Sequence, residues 1–290
     1  MKSFYNHLSE EHELQESSEA LLEKLITFGG KAYPKFGNVV IMAGGAGSGK
    51  GFVMSTLVGM EGKIFDVDEL KKLASKSAAI NKRVMDEFGV DLKDLSANLQ
   101  DSENVSKLHD IIGSAMKLDK RKEQALYSGI LTAAPDRKPN LIFDVTLKDL
   151  QKLESISRKV SSIGYEKENI HIVWVVNDIE VAKSQNTTRD RRVPAEILIN
   201  THRGAQQTMA DIVGMGNRLK KYMDGDIVFA FNKVGVDAKL MKSGKGGSFV
   251  KDANYFYVKR KGKSATPIAK LDKELRAKIA NYVPKGIDWV

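Results

Sequence analysis

The sequence contains no cysteine, which excludes disulfides and thiolate metal sites, so no disulfide partner is expected. Its five histidines, His7, His12, His109, His171 and His202, are scattered, so a local histidine zinc motif is missing too. No apolar stretch is long enough to span a bilayer, and no membrane partner is expected. The N-terminal residues are acidic and polar, unlike a secretory leader. No internal repeat is visible. Together these absences predict an intracellular, cytoplasmic protein. What remains is ordinary globular material. The 290 residues are 42% hydrophobic and 29% charged, enough for one large core or one core with a substantial insertion.

The net charge of +9 is unevenly spread. Residues 9–23 are acidic, whereas the C-terminal part carries Lys242, Lys245, Lys251, Lys259, Arg260, Lys261 and Lys263. Such a surface is either simply solvated or suited to a phosphate-rich partner, a nucleotide or a nucleic acid.

One motif names a ligand class. Gly44-Gly45-Ala46-Gly47-Ser48-Gly49-Lys50-Gly51 follows the apolar run Val39-Val40-Ile41-Met42-Ala43 and precedes an apolar helical pattern. This is the phosphate loop G-x-x-x-x-G-K at the end of a strand. Glycines let backbone N–H groups converge on phosphate oxygens, the lysine reaches the outer phosphates, and the following helix adds its positive end. Gly51 stands where many such loops carry a Ser or Thr to hold magnesium. A second glycine-rich stretch, Gly244-Lys245-Gly246-Gly247, has no strand before it.

Periodicity predicts alternating strands and helices around this loop. Strands are expected at Asn38–Ala43, Lys63–Val67, Asn140–Val145, Ile170–Val176 and Asp226–Phe231. Helices follow the loop to about Leu57, then cover Asp68–Ser75 and Leu147–Ser161, and another begins at Ile179. Continuous apolar strands between helices imply an α/β fold, a doubly wound five-stranded parallel sheet with its ligand site at the carboxyl ends of the strands. Residues 1–30 are expected to form an N-terminal amphipathic helix, and 31–235 the core. Within the core, 77–137 reads as a helical insertion serving as lid or substrate subdomain, broken at Asp91, Ser102 and Pro135. Residues 236–290 read as a basic C-terminal extension in which Tyr255-Phe256-Tyr257-Val258 suggests a strand and Ile268–Tyr282 a last helix.

Phosphoryl transfer needs a phosphate cradle, a metal, cations for the transferring group and a base for the acceptor. Each has a candidate at the correct end of a strand. Asp66 and Asp68, two apart at the end of the second strand, share one side of an extended segment. Asp68 suits both the N-cap of the next helix and a carboxylate that accepts the proton of an attacking hydroxyl. Asp144 ends the third strand and could orient magnesium or its waters, with Thr146 just beyond. Arg189, Arg191 and Arg192 precede Pro194, three guanidinium groups within four positions, where a lid would close on phosphate. His202 is a weaker candidate for a general base than for a structural hydrogen bond.

The loop, Phe65–Lys71, Asp144–Thr146 and Arg189–Pro194 together resemble the P-loop kinase superfamily, and within it the zeta-toxin and polynucleotide-kinase branch. The resemblance covers about residues 38–233. It implies ATP and magnesium as cofactors, Lys50 as the Walker lysine, Asp68 as the base and Arg189, Arg191 and Arg192 as lid arginines. Gly51 departs from the zeta-toxin pattern but is similar to adenylate kinases, whose loop continues G-K-G-T, with Phe52 here in place of the threonine. Water-mediated metal coordination through Asp144, with Ser48 nearby, is the substitute this implies. A separate resemblance, of Leu8-Ser9-Glu10 and Leu14-Gln15-Glu16 to the L-x-E sites of tailed-phage prohead proteases, would place the chain in a bacterial or phage-infected cell. The expected activity is transfer of the ATP γ-phosphate to a hydroxyl on a nucleotide, a nucleotide sugar or a nucleic acid. The alternatives are an NTPase switch without an acceptor and a nucleic-acid-binding protein with a vestigial loop.

Overall fold

The computed structural model describes residues 36–54, 60, 62–177, 179–187, 192–231, 240–242, 248–250, 255–266 and 270. The segments read as an N-terminal helix, L-x-E triplets, second glycine stretch and last helix lie outside these residues.

Strand β1 (Val39–Ala43) is the centre of the sheet. It pairs in parallel with β3 (Leu141–Asp144) on one side and β4 (Ile170–Val176) on the other, aligning Met42 with Asp144 and Ala43 with Trp174. Strands β2 (Lys63–Phe65) and β5 (Ile227–Phe231) extend the parallel set outward. A sixth strand corrects the expected count of five. It is β8 (Tyr255–Lys259), which joins antiparallel to β5 and completes the order β2-β3-β1-β4-β5-β8. A separate hairpin pairs β6 (Leu240–Lys242) with β7 (Ser248–Val250).

The period-2 alternation of strands sorts the core into two layers. Val39, Ile41, Phe143, Ile172, Trp174 and Phe229 face one way. They meet Leu153, Ile156 and Val160 of helix α7 (Leu150–Ser162) and Met209, Ile212 and Val213 of α9 (Ala195–Gly214). Val40, Met42, Ile142, Val173 and Val228 face the other way, toward Val53 of the short helix α1 (Lys50–Val53) and Met60. Both faces are covered, so the strands read as unbroken apolar runs. Trp174 and Phe229 meet edge-on with centroids 4.6 Å apart, worth about 0.5–1.5 kcal/mol beyond their burial.

Helix α2 (Val67–Lys76) leads into a helical insertion. Its members are α3 (Ala78–Phe88), α4 (Leu92–Ala97), α5 (Ser102–His109), a π-helical turn over Asp110–Ala115, and α6 (Leu118–Leu131). Ser77, Asp91 and Asp101 cap the first three by accepting from Ile80, Lys93 and Glu103 N–H, each worth about 1 kcal/mol. Val84, Leu92, Leu108, Ile112 and Met116 close a separate apolar cluster with Ala74 of α2. The insertion is tied back by Tyr127 against Phe65, with centroids 5.5 Å apart, and by a 2.5 Å Lys159–Glu123 ion pair.

The edge strand β8 is anchored by a buried lysine. Lys259 Nζ donates to Asp224 Oδ1 at 2.8 Å and to the carbonyls of Asp224, Gly225 and Arg260. No helix among the described residues is long and apolar enough to cross a membrane.

Candidate functional site

The glycine loop leaves the carboxyl end of β1, in the middle of the sheet. The chain runs from β1 to one side and returns through β3 before crossing to β4, so the loop lies at the reversal point where doubly wound sheets bind ligands. Gly49, with φ of 87°, ends the loop in a left-handed conformation and starts α1. The first N–H groups of that helix have no intrahelical acceptor.

Lys50 folds back over the loop. Its Nζ donates to Gly44 O at 3.0 Å and Gly45 O at 3.4 Å, and lies 3.7 Å from Asp144 Oδ1. The register that sets Asp144 beside Met42 brings this carboxylate to the loop across one strand spacing. Thr146 is brought in as well, since its carbonyl accepts from Gly44 N–H at 3.3 Å. Next to it, buried Leu147 has φ of 49°, a left-handed conformation costing a non-glycine residue about 1–3 kcal/mol. The chain turns sharply there, and Asp149 then caps α7 by accepting from Lys152 N–H at 2.9 Å.

Three side chains hold the loop from behind, His202 by the structural hydrogen bond expected of it and Thr201 and Asn177 unforeseen. Thr201 Oγ1 accepts from Ala46 N–H at 3.2 Å, His202 Nε2 lies 2.8 Å from Ala46 O, and Asn177 Nδ2 donates to Gly47 O at 3.2 Å. Burial, and secondarily the charge of Lys50, hold the His202 imidazole below its ordinary pKa against the opposing hydrogen bond to Ala46. The ring is therefore neutral near pH 7, and facing a carbonyl it must carry its proton on Nε2. Contact with the loop makes a hydrogen-bonding role, not a base, the one supported for His202.

Gly51 needs no glycine. A Cβ there would meet nothing within 4 Å, and the residue is exposed.

Asp66 follows β2, at the same end of the sheet as Asp144 and the loop. Helix α2 begins at Val67, one residue earlier than expected, so Asp68 lies in its first turn instead of capping it. The Asp68 side chain lies outside what is described, as do Arg189 and Arg191. Arg192 is exposed, and its backbone N–H donates to Leu99 O of the insertion at 2.9 Å. Val193 is fixed on both sides by Asn186 of helix α8 (Ile179–Thr187), which donates to its carbonyl at 2.8 Å and accepts from its N–H at 2.9 Å.

Among the described residues, the basic run at the end of β8 lies elsewhere. Lys259 pairs with Ile227 at the amino end of β5, so Arg260 and Lys261 follow at the pole opposite the glycine loop. Tyr255 and Tyr257 pack on the sheet core, as strand residues do.

Among the described residues, no group of three or more His, Cys, Asp or Glu side chains could hold a metal ion. Among the described residues, the carboxylate paired with the loop lysine is that of Asp144. It fits a magnesium ion whose other ligands are water and phosphate oxygens, the usual manner for that ion.

No family model matches the sequence, and no curated protein does. Among solved structures, the AvrRxo1-ORF1:AvrRxo1-ORF2 structure with sulphate ions is similar over 92% of this chain and 69% of that one, at 11% identity and a TM-score of 0.41. The AvrRxo1-ORF1:-ORF2 structure with ATP is similar over 91% and 75%, also at 11% identity and 0.41. A structure of the PezAT chromosomal toxin-antitoxin system of the human pathogen Streptococcus pneumoniae is similar over 74% and 77%, at 13% identity and 0.41. Likenesses this remote assign no function.

Proposed function

We propose that this chain is an ATP-dependent phosphotransferase acting on a hydroxyl of a nucleotide-like or nucleic-acid acceptor. The observation that carries the reading is the pairing of Lys50 with Asp144 at 3.7 Å under a glycine loop at the carboxyl end of a parallel sheet. The loop carbonyls and Asp144 hold the ammonium in place. A triphosphate would exchange those contacts for its outer oxygens, and the helix N-terminus would add N–H donors.

In the proposed reaction the acceptor oxygen attacks the γ-phosphorus, the bond to the β–γ bridging oxygen breaks, and ADP leaves. The Asp68 carboxylate receives the hydroxyl proton. Arg189, Arg191 and Arg192 spread positive charge over the transferring group, and Asp66 and Thr146 border the acceptor. Asp144 would hold magnesium through its waters, and the ion would neutralise charge on the phosphates. The helical insertion is proposed as the acceptor-holding subdomain. Its separate apolar cluster and its contact with Arg192 support that role.

The test separates binding from transfer. Asp68→Asn should keep the rise in melting temperature that ATP and magnesium produce, while losing label transfer from γ-labelled ATP to a panel of nucleosides, nucleotides, nucleotide sugars, DNA and RNA. Transfer that survives Asp68→Asn removes Asp68 as the base. Hydrolysis with no acceptor labelled would turn the reading toward an NTPase switch.

A further inference from the structure

The glycine loop has two successive peptide groups whose directions are set from outside it. In a trans peptide, the C=O and N–H point in opposite directions. The peptide joining Gly45 to Ala46 sends its N–H to Thr201 Oγ1, so its carbonyl points the other way, where it accepts from Ser48 N–H at 3.2 Å and Lys50 Nζ at 3.4 Å. The next peptide is reversed. Its carbonyl, Ala46 O, faces His202 Nε2 at 2.8 Å, so the Gly47 N–H points away from α9. Gly47 itself has φ of 74°, a conformation in which a glycine can flip with little resistance.

We propose that His202 is a positioning residue of the glycine loop, its Nε2–H fixing the Ala46–Gly47 peptide with the Gly47 N–H turned toward the phosphate side. This rests on the nucleotide-binding reading for its ligand and on geometry alone for the clamp. The fit is close. A Cβ on Gly45 would lie 2.2–2.6 Å from Cδ2, Cγ and Nε2 of the ring, so the loop backbone rests directly on the imidazole. Position 45 is glycine because the clamp occupies the space of a side chain. The ring is 3% exposed and rides on the middle of a 20-residue helix, which gives it a rigid base. Thr201 and Asn177 complete the support from the same helix and from the end of β4.

The chemistry separates the donor from the bulk. His202→Phe keeps a ring and loses the N–H. His202→Gln keeps a donor at about the reach of Nε2. Without its donor the Ala46–Gly47 peptide is free to turn and the Gly47 N–H is lost to the phosphate, so ATP affinity should weaken about tenfold in His202→Phe and return most of the way in His202→Gln. If His202 merely filled space, Phe would do better than Gln. In steady state the loss should appear chiefly in the KM for ATP.

The second arm couples the two partners of the contact. Gly45→Ala should lower the melting temperature and ATP affinity strongly when His202 is present, and much less in His202→Ala, where the ring is gone. ATP affinity of His202→Phe equal to wild type, or equal costs of Gly45→Ala in both backgrounds, would overturn the proposal. Should the wild-type protein bind no ATP, the nucleotide reading falls. The clamp is then judged by the ligand-free melting cycle alone, where non-additive costs uphold it and additive costs overturn it.

Discussion

Replacing Asp144 by Asn should change nucleotide binding in opposite directions with and without magnesium. Lys50 Nζ lies 3.7 Å from Asp144 Oδ1, with side chains 13% and 22% exposed. Coulomb's law at that distance gives about 1 kcal/mol in water and about 4.5 kcal/mol at an effective dielectric of 20. Desolvation offsets part of this, and Lys50 keeps its contacts to Gly44 and Gly45 carbonyls, so the ligand-free protein should lose about 1–2 kcal/mol. At about 2–4 °C per kcal/mol, that is a fall of several degrees in melting temperature. With ATP and a chelator the sign reverses, because Asn no longer repels the triphosphate, and the variant should gain more stabilisation than wild type. With ATP and magnesium wild type should gain more, because only it offers a carboxylate to the metal's waters. Thermal scans under the three conditions decide the matter. A variant that parallels wild type in all three would refute the placement of Asp144 beside the phosphates and the metal.

Three further outcomes are expected. Gly51→Ser should be tolerated, since a Cβ at position 51 meets nothing within 4 Å and serine is the better helix former by about 0.5 kcal/mol. The magnesium concentration needed for ATP-dependent stabilisation should fall in it, and an unchanged requirement would place the cation away from this residue. Lys259→Met should destabilise by about 2–3 kcal/mol in denaturant titration, because Asp224 loses its buried partner and keeps only Lys220 at 3.6 Å and water, and a cost near zero would contradict the anchoring of β8. The neutral His202 contributes stability that is complete above its unfolded pKa near 6.5 and is lost as pH falls toward its lower folded value. On acidification from pH 7.5 the wild type should therefore lose up to about 1.4 kcal/mol per pH unit more than His202→Gln within that window, and parallel curves would contradict a buried neutral ring.

The parallel sheet was legible because burial on both faces leaves an uninterrupted apolar run. Ile170–Val176 coincides with its expected bounds. The insertion breaks where Asp91 and Pro135 say it should, since capping and proline effects are local. Leu147 was harder. Its apolar character suggested a helix start, but burial holds it in the turn, and α7 waits for the cap at Asp149. The pairing of β8 with β5 is likewise a long-range choice that strand pattern alone leaves open. At the site, Lys50 and Asp144 each carry a local signature, a glycine motif and a carboxylate ending an apolar strand. Thr201 and Asn177 carry none, and for His202 a structural hydrogen bond is legible but not its partner, because all three reach the loop from more than a hundred residues away. The available hints were a Thr-His pair inside an apolar helical pattern and a polar residue closing the most apolar strand.

Phosphoryl transfer is read out as label moving from γ-labelled ATP to the acceptor panel with wild-type protein and with Lys50→Ala, each with magnesium and at matched folded concentration. Wild type should yield a labelled acceptor and Lys50→Ala none above background, if the ammonium that Gly44, Gly45 and Asp144 hold in place is the group that meets the transferring phosphate. Equal transfer by the two proteins, or ATP left intact by wild type with every acceptor, would contradict it.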